Sequence, residues 1–139
     1  MGIVTGFTRV TAEELDRAYA DPGCVDDILE ADRPDDADVY LDKAVPDLEH
    51  LLYAAGVPTH LEMNGDPLLL PDDQVVWVWS VEEVRTAAER LRDVPFDRLA
   101  EHSDEDPVEL GYLRFHYDNL VRFLVAAAEA GEPAIMSSG

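Results

Sequence analysis

A chain of 139 residues with 31 acids against 10 bases carries a formal net charge of −21 on an otherwise ordinary composition, 47% hydrophobic and 29% charged. Such a field repels nucleic-acid phosphates and anionic lipid headgroups, so neither is an expected partner, while the apolar content is too high for a disordered chain. The length suits one domain over residues 1–139, and the single cysteine, Cys24, permits no intramolecular disulfide and fits a reducing cytoplasm.

In chain order, Ile3 to Thr8 is short, apolar and glycine-bounded, and reads as a first strand. Nothing in Met1 to Arg9 has the basic and long apolar regions of a signal peptide, and no apolar run approaches the ~18 residues of a membrane span. Thr11-Ala12-Glu13-Glu14 is a capping box, opening a helix with Leu15, Ala18 and Tyr19 inward that stops at Asp21-Pro22-Gly23. Cys24 to Ala31 forms a second short helix burying Val25, Ile28 and Leu29. Between Thr11 and Asp38 stand eleven acids and only Arg17 and Arg33 as bases, so this segment is expected to wrap the outside. Residues 33–38 read as a loop.

The central helix follows. Leu41, Val45, Leu48, Leu52 and Ala55 recur at helical spacing, with Asp42 as the expected N-cap, Pro46 at the end of the first turn and Gly56 as the left-handed stop. From Thr59 to Asp73 the pattern is irregular, with a turn at Asn64-Gly65-Asp66-Pro67, and a hairpin and an ordered loop fit equally. Val75-Val76-Trp77-Val78-Trp79 is the strongest strand, Val76 and Val78 facing one side and the tryptophans the other. Ser80-Val81-Glu82-Glu83 is a second capping box, opening a helix with Val84, Ala87, Ala88 and Leu91 inward. One or two turns begin at Pro95. The longest helix spans about Val108 to Ala130, with Leu113, Tyr117, Leu120, Leu124 and Ala127 as its core stripe, Gly131 as its stop and a closing strand at 133–136. Strands at both ends and the middle with helices between give an α+β fold, a small mixed or antiparallel sheet packed on several helices.

The opening Met1-Gly2-Ile3-Val4-Thr5-Gly6-Phe7 with Thr11-Ala12-Glu13-Glu14-Leu15 resembles the start of the YfbM-like proteins, small bacterial proteins of unknown function. Asp42-Lys43-Ala44 with Leu48 and Leu51-Leu52 resembles that family's central Asp-Lys-x-Trp-x-x-Leu-His helix, and Ser80 to Val84 its Thr-Pro-Glu-Glu-Val helix start. Leu120 to Ile135 is similar to its closing helix and strand. The resemblance implies a soluble α+β domain with no assigned reaction. Val45 stands where the pattern has Trp, Glu49 where it has His and Trp77 where it has Arg, so of a site built on those positions only Asp42 and Lys43 carry over.

The residues themselves offer no Walker loop, no Gly-x-Gly-x-x-Gly, no Gly-x-Ser-x-Gly and no His-Glu-x-x-His, and no two of His50, His60, His102 and His116 have helical metal-site spacing. No cofactor or metal is expected. Asp42 as a cap and Lys43 in an ion pair with a protein carboxylate explain that pair structurally. Asp42, Lys43, His116 and Tyr117 are the candidate ligand or partner residues, with Tyr112 beside them on the long helix. The leading expectation is a non-catalytic protein-interaction module of immunity type, its acidic face meeting a basic protein surface. The alternative is a small-molecule-binding protein or weak enzyme with a cleft near Asp42, Lys43 and His116. A lined cleft favours the second and a flat acidic surface the first.

Overall fold

In the computed structural model, which describes residues 4–62 and 64–138, the two ends of the chain meet at the middle of one sheet. The first strand, β1 (Thr5–Arg9), pairs antiparallel with the last, β5 (Ala134–Ser138), from Thr5 opposite Ser138 to Arg9 opposite Ala134. Ile3, the expected first residue of β1, lies outside the described residues. Between these strands come α1 (Ala12–Ala20), α2 (Val25–Glu30), β2 (Asp38–Tyr40), α3 (Val45–Ala54), β3 (Asp66–Leu69) and β4 (Val75–Trp79). They are followed by α4 (Val81–Leu91), α5 (Phe96–Ala100) and α6 (Pro107–Ala130). The sheet order is β2-β1-β5-β4-β3 with every neighbouring pair antiparallel. The fold class is thus α+β, and the sheet is antiparallel rather than mixed.

Strand alternation divides the core between two faces of the sheet. Phe7, Trp79, Ala134 and Met136 pack with the buried faces of α3, α4, α5 and α6 in the larger cluster. Val76, Val78, Leu68 and Ile135 point to the opposite face, where Ala18 of α1 and Val25 and Ile28 of α2 cover them. The acidic segment therefore does form an outer layer, pinned by a few apolar side chains. Arg33 holds it to the sheet: its guanidinium donates to both Glu14 carboxylate oxygens (2.9 and 2.6 Å) and to the carbonyls of Arg9 and Ile28. Tyr19, expected inward, is exposed, because Leu15 and Ala18 already occupy the narrow stripe α1 turns to the sheet.

Both capping boxes form, at Thr11 with Glu14 and at Ser80 with Glu83, and the N-cap of α6 is Asp106, which accepts from Glu109 N–H at 2.8 Å. The glycine stop of α3 also forms: at φ 79° Gly56 donates to Tyr53 O, and Val57 N–H reaches back to Leu52 O at 2.9 Å. Within the irregular 59–73 stretch, Asp66–Leu69 forms β3 in a hairpin with β4, with Pro67 on the sheet edge where its missing N–H costs no ladder bond.

The start of α3 is a correction. The helix begins at Val45, its N-cap is Ala44 with no side-chain bond, and Pro46 falls within the first two positions. Asp42 instead sits at φ 48° in the turn that carries the chain off β2, with its carbonyl accepting from Thr5 N–H at 3.0 Å. Leu41 N–H returns a bond to Thr5 O and Ala44 N–H one to Leu41 O. The turn needs a left-handed residue at 42, a conformation Asp tolerates better than most side chains, and that demand overrides the capping geometry. The apolar repeat itself is right: Leu41, Val45, Leu48, Leu52 and Ala55 are all buried.

Candidate functional site

The strand β2 overlaps the expected 33–38 loop only at Asp38 and has no counterpart in the sequence reading, since three residues at a sheet edge leave almost no pattern. It places Tyr40 and Asp42 beside α6. In β2, Val39 packs toward the main core while Asp38 and Tyr40 alternate outward. Helix α6 spends Leu113, Tyr117, Leu120 and Leu124 on the core, which leaves Phe115, His116, Asn119 and Arg122 to face the 35–40 segment. Between them lies a groove of about 400 Å³. One wall is acidic, with Asp35 and Asp36 from a short 3₁₀ turn and Asp38 from β2. The other carries Phe115, His116 and Arg122, and Tyr40 also lines the groove.

Two large aromatic rings stay in water here, Tyr40 and Phe115, each 61% exposed. His116 is the opposite: it is only 6% exposed, and its Nδ1 is buried without a hydrogen-bond partner among the described residues. Its ring sits edge-on between Tyr112 (centroids 4.7 Å) and Phe115 (5.1 Å). Leaving a buried polar nitrogen unpaired costs about 1–3 kcal/mol.

Behind the groove, Tyr112 ties α6 to the turn before α3. Its hydroxyl donates to Asp42 Oδ2 at 2.8 Å and accepts from Lys43 N–H at 3.1 Å, while Tyr40 OH donates to Asp42 Oδ1 at 3.3 Å. The Tyr112 bond holds the Asp42 carboxyl below its ordinary range, against partial desolvation, with Tyr40, His116 and Lys43 acting in the same direction. Burial and then Asp42 push the Tyr112 phenol up. The two shifts diverge, so at neutral pH the proton stays on the phenol and the pair positions rather than transfers.

Of the four residues singled out in the sequence, His116 lines the groove and Asp42 stands behind it. Tyr117 does not belong to the site. It is fully buried in the main core, donating to Val94 O at 2.8 Å, and burial pushes its phenol up to about 12. Lys43 is exposed and forms no ion pair among the described residues, contrary to the expected carboxylate partner. The reason is positional: α3 starts two residues later, so Lys43 lies outside its first turn and meets the helix dipole only weakly. The sequence reading missed Tyr40 and Phe115. Phe115 had a signal, as a large apolar residue off the 113/117/120/124 stripe.

A second cleft of about 310 Å³ lies along α3, lined by His50, Tyr53, Pro58 and His60 among others. Its central carboxylate is already used: Glu49 Oε2 accepts from Leu61 N–H (3.1 Å) and Glu62 N–H (3.0 Å), fixing the loop after α3. Glu49, where the resembling pattern has His, is therefore a loop anchor here. Val45 and Trp77, the other two departures, are packed in or against the main core. Among the described residues no group of three His, Cys, Asp or Glu side chains is arranged to hold a metal ion.

The family model described as a domain of unknown function, DUF1877, matches residues 1–137. No curated protein matches the chain. Among solved structures, a protein of unknown function, YfbM from Escherichia coli, is similar over 98% of this chain and 99% of its own, with a TM-score of 0.57 and 15% identity. At that identity the likeness speaks for the fold alone.

Proposed function

The chain belongs to the DUF1877 family, a domain of unknown function that lends no reaction, and from its own groove we propose that it is a non-catalytic small-molecule-binding protein. The observation that carries this reading is the groove between β2 and α6, about 400 Å³ in volume, lined by His116 and by two exposed aromatic rings. Ligand sites are concave, largely apolar and marked by a few convergent polar groups, and volumes of roughly 300–1,000 Å³ hold small molecules. Of the two expectations raised by the sequence, the groove supports the cleft near Asp42, Lys43 and His116, though through His116 alone, since neither Asp42 nor Lys43 lines it. The Asp42–Tyr112 pair braces it, tying the turn after β2 to α6 so that the two walls keep their spacing.

A fragment titration followed by backbone amide shifts tests the reading. Binders are expected to move resonances of Tyr40, Phe115, His116 and Asn119 together, and Phe115→Ala to weaken them without unfolding the chain, because that ring is exposed. Shifts that cluster on the α3 cleft instead, or no saturable shifts at all, would overturn it.

A further inference from the structure

The walls of this groove also select a ligand class, and we infer that it takes a small organic cation, an ammonium or guanidinium group borne on an apolar body; the inference rests on the groove being a binding site. Charge is the first argument. Three carboxylates, Asp35, Asp36 and Asp38, face a single guanidinium in the lining, that of Arg122, which is itself engaged with Asn119 Oδ1 at 3.0 Å. Among the described residues Asp36 shares its one base, Arg9, with Glu132. Arg9 reaches Asp36 only at 3.4 Å, while it holds Glu132 at 2.9 Å. Asp38 is tied to a neutral partner, the Thr8 hydroxyl at 2.8 Å, and Asp35 has no ion pair among the described residues. The acidic wall is therefore short of positive charge, inside a molecule whose net charge of −21 already draws cations in and turns anions away.

The rings supply the second argument. Tyr40 and Phe115 are both mostly exposed at this groove, where hydrophobic burial would ordinarily hide them. Aromatic faces attract cations by their quadrupole, most strongly for weakly hydrated ones, and recognition of quaternary ammonium groups uses this arrangement. A bare metal ion would gain nothing from the rings, and the carboxylates offer no three-ligand cluster among the described residues. The buried His116 ring, flanked edge-on by Tyr112 and Phe115, backs the apolar wall.

Three near-isosteric probes separate the class from the site: choline, neutral 3,3-dimethyl-1-butanol and anionic 3,3-dimethylbutyrate, each titrated into the full chain and followed by amide shifts. Choline is expected to move Tyr40, Phe115 and Asn119 and to bind at least tenfold more tightly than the alcohol, with the anion weakest. Asp35→Asn and Phe115→Ala, both at exposed positions, should each weaken choline several-fold, and Tyr40→Phe should retain it because the ring stays. Equal binding of choline and the alcohol, or tighter binding of the anion, would overturn the cation assignment while leaving the groove as a site. Groove resonances that no probe moves would overturn both.

Discussion

Glu14 has two tasks that its position in the sequence advertises only in part. The capping box was legible: Thr11 N–H donates to Glu14 Oε1 at 2.9 Å. Its second partner, Arg33, lies nineteen residues on and joins it through tertiary structure alone. The Arg33 bond, opposed by burial and aided by Thr11, holds the Glu14 carboxyl down at about 2. A carboxyl depressed in the folded state adds stability above its unfolded value near 4.5, and the gain fades as pH falls toward 2. The full shift would correspond to roughly 3 kcal/mol; partial solvent screening reduces the expectation to about 2. Urea melts of Glu14→Gln should therefore show a loss of that order at pH 7 that shrinks steadily toward pH 2. A loss unchanged across that range would mean the ion pair contributes nothing beyond packing. At the groove, Asp42→Asn removes a charge that adds to burial in raising the Tyr112 phenol. Tyr112 should then titrate closer to its ordinary value in a phenol titration, and an unchanged titration would show that burial alone sets it.

Among the elements, those with a local signal were readable and those without one were not. The helices of 5 to 24 residues carry stripes, capping boxes or glycine stops written in adjacent residues, and β4 is a run of β-branched and aromatic side chains. The three-residue β2 has no such run: it exists because β1 offers it an edge, with Gly6 opposite Tyr40 and Thr8 opposite Asp38. Missing β2 hid half of the groove and led to Asp42 being taken for a cap, since a turn demanded by an unseen strand cannot be read from the helix that follows. His116 and Tyr112 were visible because an aromatic-rich helix draws attention. Tyr117 was misplaced because a core stripe and a groove stripe on one helix differ by a single position. The apolar face of α3 stands regardless of its cap, with Leu48 and Leu52 both fully buried. Leu48→Ala should cost about 2–4 kcal/mol by leaving a cavity. A denaturant midpoint within error of the parent would remove α3 from the core of the fold.

For the whole molecule, charge is the property that sequence alone fixes best, and it acts at two ranges. Phosphate polymers meet 31 acids and 10 bases, so no saturable retention of duplex DNA is expected in a gel-shift assay near 150 mM salt, and a saturable complex would require a basic patch the sequence does not provide. The same excess acts within the fold. Among the described residues only a few carboxylates are held by bases, chiefly Glu14 by Arg33, Glu132 by Arg9 and Asp97 by Arg114. Most of the rest repel one another across a small surface, and compacting them raises that repulsion relative to the unfolded chain. Simple salt screens it: the Debye length falls from roughly 30 Å at 0.01 M to about 8 Å at 0.15 M. The thermal midpoint should accordingly rise by several degrees between those concentrations in sodium chloride, at about 3 °C for each kcal/mol regained in a chain of this length. The gain should flatten once screening reaches the spacing between neighbouring carboxylates. A midpoint that falls with added salt would mean that ion pairs such as Arg33–Glu14 outweigh the repulsion. A steady rise that continues into molar salt would point instead to exclusion of the salt from the protein surface, which strengthens apolar burial and has no charge origin.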